Sequence, residues 1–264
     1  MFQPVPVHAY NPGFMTGSGN VTWLLRGRVP VLIDAGTGEP RFLADLEHSL
    51  GGARLASVLV THGHVDHASG APAIAARFAG SRFAKMPWPS RDERYAIGWE
   101  PLADGDVVEA GDATLTAIHT PGHAPDHLCF WHDGTRTLLC GDLAVKGTTV
   151  VIPAGSGGDL RAYLQSLERV LALQPTRLLP AHGPVIEDPE KVLRQYIAHR
   201  LEREEQVLAS VAAGAATPDA IVASVYRGLA AALLPMARDS VTAHLVKLEG
   251  DGRVRRDGER WELT

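Results

Sequence analysis

Thr61-His62-Gly63-His64-Val65-Asp66-His67 constrains this chain more than any other stretch. It places four potential metal ligands within six residues, directly after the apolar run Ser57–Val60, which reads as a short buried strand. An ordinary apolar core does not crowd three imidazoles and a carboxylate together. The segment therefore belongs in a functional loop at the carboxyl end of a strand. If the chain is extended there, His62 and His64 project to the same side. Asp66 and His67 fall where a helix is expected to begin, over Ala68–Phe78, so the chain turns and can offer them to a second ion.

Three more candidates follow in similar settings: His123 in Thr120-Pro121-Gly122-His123, Asp142 in Cys140-Gly141-Asp142, and His182 in Pro180-Ala181-His182-Gly183. A histidine in a loop, or an aspartate at a strand end, means little alone. Together they make five imidazoles and two carboxylates, a donor set that suits zinc, with iron or manganese as other options. Calcium and magnesium would call for all-oxygen shells.

Up to about Asp188 the chain alternates short apolar strands with Gly- or Pro-rich loops and a few amphipathic helices. The strands read as Thr22–Leu25, Val31–Asp34, Ser57–Thr61, Leu115–His119, His127–Trp131, Thr137–Gly141 and Arg177–Pro180. Phe42, Leu43, Leu46 and Leu50 form one helical stripe, and Leu160, Leu164, Leu167 and Leu171 another. This interspersion predicts sheets sandwiched between outer helices. Beyond Pro189 comes a charged helix over Lys191–Val211, a break at Gly214–Pro218, helices at Ala220–Tyr226 and Asp239–Glu249, and a hairpin turning near Asp257-Gly258. Three helices followed by a hairpin is the order of a small winged-helix unit.

The ligand series resembles the metallo-β-lactamase superfamily. That resemblance implies an α/β architecture, an αβ/βα sandwich over residues 1–190 with a small C-terminal winged-helix domain over residues 191–264. It also implies two metal ions, zinc first. His62, His64 and His123 would hold one; Asp66, His67 and His182 would hold the other; Asp142 would bridge them. Asp34, in Val31-Leu32-Ile33-Asp34, matches the family's strand-end aspartate, which either orients a ligand or caps the turn. True β-lactamases of the family have Cys or Ser where Asp142 stands. Cys140 lies two residues earlier, and both Cys129 and Cys140 read as buried strand residues, so antibiotic hydrolysis is not expected.

Further marks resemble the β-lactamase-like protein 2 family within that superfamily. They are Gly147-Thr148-Thr149-Val150, Gly158-Asp159-Leu160 with Tyr163, His182-Gly183-Pro184-Val185-Ile186, Tyr196-Ile197-Ala198-His199-Arg200 with Arg203-Glu204, and His244-Leu245 with Lys247-Leu248-Glu249. The resemblance implies a hydrolase in which a hydroxide held by the metals attacks the substrate, with Asp66 as ligand and catalytic residue. Endoribonuclease-like cleavage of single-stranded RNA is the first substrate reading. Hydrolysis of a small-molecule or carrier-bound acyl thioester is the second, and a non-catalytic metal-binding regulator the third.

Charge gives RNA little help. The chain carries a formal net charge of -5, and from Gln195 to Thr264 nine Lys/Arg face ten Asp/Glu, unlike a nucleic-acid module. Arg253, Arg255, Arg256 and Arg260 do cluster on the hairpin. Trp261 beside them either stacks a base or packs inward, and charged edge strands commonly guard against aggregation. The tail could equally serve as a lid or a homodimer contact. Met86, Trp88 and Trp99 read as loop anchors before mouth-lining residues, and His199 and Arg200 as part of a linking helix. With no evident signal peptide, no membrane-length apolar run and two cysteines outside any CxxC, a cytoplasmic protein is expected.

Overall fold

The computed structural model describes residues 2–264. Two sheets face each other. The first contains β1 (Val5–His8), β2 (Val21–Leu25), β3 (Val31–Ile33), β4 (Ser57–Leu59), β5 (Arg82–Lys85) and β6 (Trp99–Pro101), in that spatial order. Its first three strands pair antiparallel, and β3 through β6 run parallel. The second sheet contains β7 (Val107–Ala110), β8 (Ala113–His119), β9 (Leu128–His132), β10 (Thr137–Gly141) and β11 (Arg177–Pro180), ordered β11-β10-β9-β8-β7. Only its β10–β11 pair is parallel.

Side-chain alternation divides each strand between two cores. Trp23, Leu25, Val31, Ile33 and Leu59 meet Leu115, Leu128, Phe130, Leu139 and Leu179 between the sheets. Leu24, Leu32 and Val58 point outward against α1 (Pro40–Leu50) and α3 (Ala71–Arg77), meeting Phe42, Leu46 and Ile74. Cys129, Trp131, Leu138, Cys140 and Leu178 point outward on the other side, against α5 (Leu160–Ala172) and the first half of α6 (Pro189–Ala212). Burial on both faces explains why these strands read as apolar runs rather than alternating ones. Both cysteines are buried free thiols.

The α6 helix belongs to two cores. Leu193 and Tyr196 pack on the second sheet. Val207 and Val211 pack with α7 (Pro218–Val225), α8 (Leu234–Gly250) and the hairpin β12 (Val254–Asp257) and β13 (Arg260–Leu263). At 24 residues the helix is about 36 Å long, enough to reach both. Among the described residues no helix is long and apolar enough to cross a membrane.

Several expectations need correction. The helix foreseen over Ala68–Phe78 is two pieces, α2 (Val65–Ala68) and α3, broken at Ser69-Gly70. A Cβ on Gly70 would lie 2.1 Å from the carbonyl oxygen of Ala35, so the chain presses on β3's extension there. Asp66 and His67 lie inside the short first piece. Trp261 is 4% exposed in the tail core, so it packs and cannot stack a base. Arg253 pairs with Glu205 at 3.1 Å, Arg255 pairs with Glu262 at 2.8 Å, and Arg256 donates to Gly258 O at 2.8 Å.

Candidate metal centre

All seven sequence-chosen residues, His62, His64, Asp66, His67, His123, Asp142 and His182, converge at one edge of the sandwich. They follow the carboxyl ends of β4, β8, β10 and β11. Backbone hydrogen bonds between the sheets hold this edge. Leu128 N–H donates to Thr61 O at 2.8 Å, and Val21 N–H donates to Ala181 O at 2.7 Å.

Each ligand loop is braced. Asp34 adopts φ +67, an uncommon conformation for a non-glycine residue. Its Oδ1 accepts from Thr61 N–H at 2.8 Å, and its Oδ2 lies 2.8 Å from His67 Nδ1. The second contact places the His67 proton on Nδ1 and leaves Nε2 facing the cluster. Of the two readings of Asp34, the structure shows it bonded to a histidine of the cluster. Gly122, before His123, has φ +130, and a Cβ there would meet Tyr163 Cα at 2.3 Å, so no side chain fits. His123 Nδ1 lies 2.8 Å from Val151 O, which directs Nε2 inward.

His62 Nε2 is 2.9 Å from His64 Nδ1, which is 3.0 Å from His123 Nε2. A tetrahedral zinc shell with Zn–N of roughly 2.0–2.1 Å separates its nitrogens by about 3.3 Å, so this trio fits an ion at its centre. In a second trio, Asp66 Oδ2 lies 3.5 Å from His67 Nε2 and 3.3 Å from His182 Nε2. Asp142 faces both: Oδ1 is 3.3 Å from His182 Nε2 and 3.5 Å from His67 Nε2, and Oδ2 is 3.5 Å from His123 Nε2. His67 Nε2 and Asp142 Oδ1 are buried without a hydrogen-bond partner. Orphaned polar atoms of this kind are what a cation would satisfy.

The two trios differ electrostatically. Burial and the neighbouring imidazoles push His62 well down and His64 down to about 3. Burial also opposes charge on His67 and His182. There, however, the carboxylates prevail, led by Asp66 and Asp34 at His67 and by Asp142 at His182. His67 rises well above its usual range and His182 rises to about 9. Below pH 9 a metal entering at His182 must therefore displace a proton, whereas His64 is already neutral. Calorimetric metal titrations in buffers of different ionisation enthalpy should show the greater proton release for the Asp66/His67/His182 site. Its apparent affinity should rise with pH up to about 9. Equal proton release in both binding events would refute this division.

Three supporting residues escaped sequence reasoning. Lys85, fully buried on β5, sits 2.9 Å from Asp126 Oδ2 and 2.6 Å from Asp92 Oδ1. Asp126 Oδ2 in turn accepts from Gly63 N–H at 2.8 Å, gripping the peptide between His62 and His64. His127, fully buried and held neutral chiefly by that burial, accepts from Asp142 N–H through Nε2 at 3.1 Å. The available signal was a lysine inside the apolar run Phe83-Ala84-Lys85-Met86. Met86 and Trp99 anchor the cores as expected. Trp88 does not: its ring lies 6.1 Å from that of His64, and the Arg91 guanidinium lies over it at 5.0 Å.

A groove of about 750 Å³, lined by none of the seven candidate ligands, runs between the segments 145–149 and 186–188 and the exposed side of α6. Val145, Ile186, Val192 and Tyr196 line it, and two lysines, Lys146 and Lys191, are offset by Glu187 and Asp188.

Comparison with known proteins agrees with this geometry. Residues 15–182 match the metallo-beta-lactamase superfamily model, and residues 217–261 match the beta-lactamase associated winged helix domain. The chain is 32% identical to a beta-lactamase-like protein 2 homolog of Drosophila melanogaster, over 93% of this chain and 87% of that protein. It is 33% identical to an atrochrysone carboxyl ACP thioesterase of Aspergillus fumigatus, over 84% of this chain and 72% of that one. A metallo-beta-lactamase family protein from Thermus thermophilus has the same fold, with a TM-score of 0.81 at 21% identity, covering 100% of this chain and 98% of that one. With most of its length matched by the superfamily model and its tail by the associated winged-helix model, the chain belongs to the metallo-beta-lactamase superfamily of metal-dependent hydrolases, with that superfamily's associated winged-helix domain.

Proposed function

We propose that the protein is a dinuclear zinc hydrolase of acyl thioesters. Two bound ions would supply activation of water and polarisation of the scissile carbonyl. His62, His64 and His123 would hold one, Asp66, His67 and His182 the other, and Asp142 would reach both through its separate oxygens. Asp66, on the exposed side of its trio, would also orient the attacking water. Lys85, Asp126 and Asp34 keep the ligand loop in place, and Trp88 flanks the entrance at His64.

One observation carries the choice of substrate. The phenols nearest the ligand loops are already committed: Tyr95 donates to Gly63 O at 3.1 Å, Tyr163 to Leu143 O at 2.6 Å, and Tyr196 to Val145 O at 2.9 Å. The reaction should therefore favour a leaving group that departs without being protonated. A thiol, with a pKa of roughly 8.5, meets that need far better than a ribose hydroxyl. The charge-balanced, partly apolar groove suits an acyl chain or a slender carrier arm. Its two lysines, offset by two acids, fall short of the basic track that single-stranded RNA uses. The thioesterase named among the relatives points the same way.

The test offers acyl thioesters and a single-stranded RNA to metal-quantified protein under identical conditions, with Asp66→Ala as control. Metal-dependent thioester turnover, reduced on the order of 10²-fold or more in the control, is the expected result. RNA cleavage without thioester turnover would replace this reading with the endoribonuclease one, which the likeness to the beta-lactamase-like protein 2 relative supports.

A further inference from the structure

Tyr196, Arg200 and Glu204 are absorbed neither by the metal cluster nor by the tail core, yet they are polar residues buried at successive turns of α6. Arg200 is 3% exposed on α6. Its Nη2 donates to Thr149 Oγ1 at 2.8 Å and to Val150 O, and its guanidinium lies over the Tyr163 ring at 5.5 Å. One turn earlier, the Tyr196 hydroxyl accepts from Val145 N–H at 2.9 Å and faces Thr148 O at 3.0 Å. Two neighbouring side chains of α6 thus grip the segment from Val145 to Val150, which begins just after Asp142. The next carbonyl along, Val151 O, is the one that faces His123 Nδ1 at 2.8 Å. On the far side, Glu204, one turn beyond Arg200, pairs with Lys247 of α8 at 2.9 Å. α8 is fastened to α5 through Asp251 and Arg161 at 2.6 Å.

We propose that Arg200 is a positioning residue for the first metal site: the helix carrying the winged-helix unit sets the orientation of His123 by holding Thr149 and Val150, the residues just before the Val151 carbonyl that its Nδ1 bonds. Outer partners of a metal-binding imidazole hold its ring in the geometry the ion needs. The planar fork of an arginine can bond Thr149 and Val150 while stacking on Tyr163. A lysine in its place would bring a single ammonium and no stacking surface. The winged-helix unit thereby acts on the metal centre without touching it.

The inference rests on His123 being a ligand, so the experiment tests that separately. Zn²⁺ is titrated calorimetrically, at fixed pH, into full-length wild type, Arg200→Met, Arg200→Lys, His123→Ala and Leu248→Ala. The last removes apolar bulk from the tail core and controls for lost stability alone. We expect His123→Ala to abolish one binding event and so identify it. Arg200→Met should weaken that same event about 10–100-fold and spare the other, with Arg200→Lys intermediate and Leu248→Ala like wild type. If Arg200→Met fails to fold, Arg200→Lys carries the comparison. Wild-type affinities in the Arg200 variants alongside a lost event in His123→Ala would overturn the positioning role alone. So would equal weakening of both events in the Arg200 and Leu248 variants. Two unchanged events in His123→Ala would overturn the ligand assignment and the inference with it.

Discussion

Asp142→Ala is expected to reduce metal content from two ions per chain toward one or none and to lower hydrolysis by at least about 10²–10³-fold, the scale of losing one preorganised electrostatic group. Among the described residues, Asp142 alone has two carboxylate oxygens that face histidines of different trios, His123 on one side and His67 with His182 on the other. Burial opposes its charge, but the positive charge at His67 and His182 overrides that and holds the carboxyl well below its usual range. Its removal would therefore take away an oxygen facing each trio and much of the field that raises His182. Metal analysis by mass spectrometry, together with turnover at saturating Zn²⁺, checks the prediction. A variant that keeps two ions and wild-type turnover would show that Asp142 bridges nothing.

The second large effect is on stability. Lys85→Met should cost about 3–5 kcal/mol, because it strands the buried carboxylate of Asp126. For a chain of this size that corresponds to a fall in melting temperature on the order of 10 °C. Burial raises the Asp126 carboxyl even with Lys85 beside it, and without the ammonium it should rise further. A carboxyl whose folded-state value lies above its unfolded value stabilises the fold at low pH and loses that contribution as pH rises. The deficit of the variant should therefore be smallest near pH 4 and grow toward neutrality. Chemical denaturation across that range measures it. The double variant Lys85→Met/Asp126→Asn, which keeps an acceptor for Gly63 N–H, should recover part of the loss. A deficit independent of pH would mean that lost packing, not the stranded charge, is responsible.

The candidate ligands could be read from sequence because each lies in a short Gly- or Pro-flanked loop just past an apolar strand, and because the His62–His67 cluster has no use in an ordinary core. The central strands could be read because burial on both faces leaves runs such as Leu138-Leu139-Cys140 almost free of polar residues. β1, β5, β6 and β7 went unseen: they are short, and Pro6, Lys85, Pro101 and Glu109 interrupt their apolar pattern. The break between α2 and α3 depends on Gly70 meeting the Ala35 backbone, a long-range contact that no local pattern announces. The same holds for Lys85 with Asp126 and for Arg200 with Val150. A buried charge shows its purpose only when its distant partner is known. Arg200 was accordingly read as a helix residue and nothing more.

Because α6 runs unbroken from the floor of the groove into the tail core, the two parts of this protein are not interchangeable cassettes. A chimera that joined a foreign winged helix at residue 190 would discard Leu193, Tyr196 and Arg200, and with them part of the sandwich's own wall. A workable graft must splice below Glu204, inside a helix, where donor and recipient have to match in helical phase as well as in composition. That requirement ties the inheritance of the tail to the inheritance of the active centre and makes independent shuffling of the two modules costly.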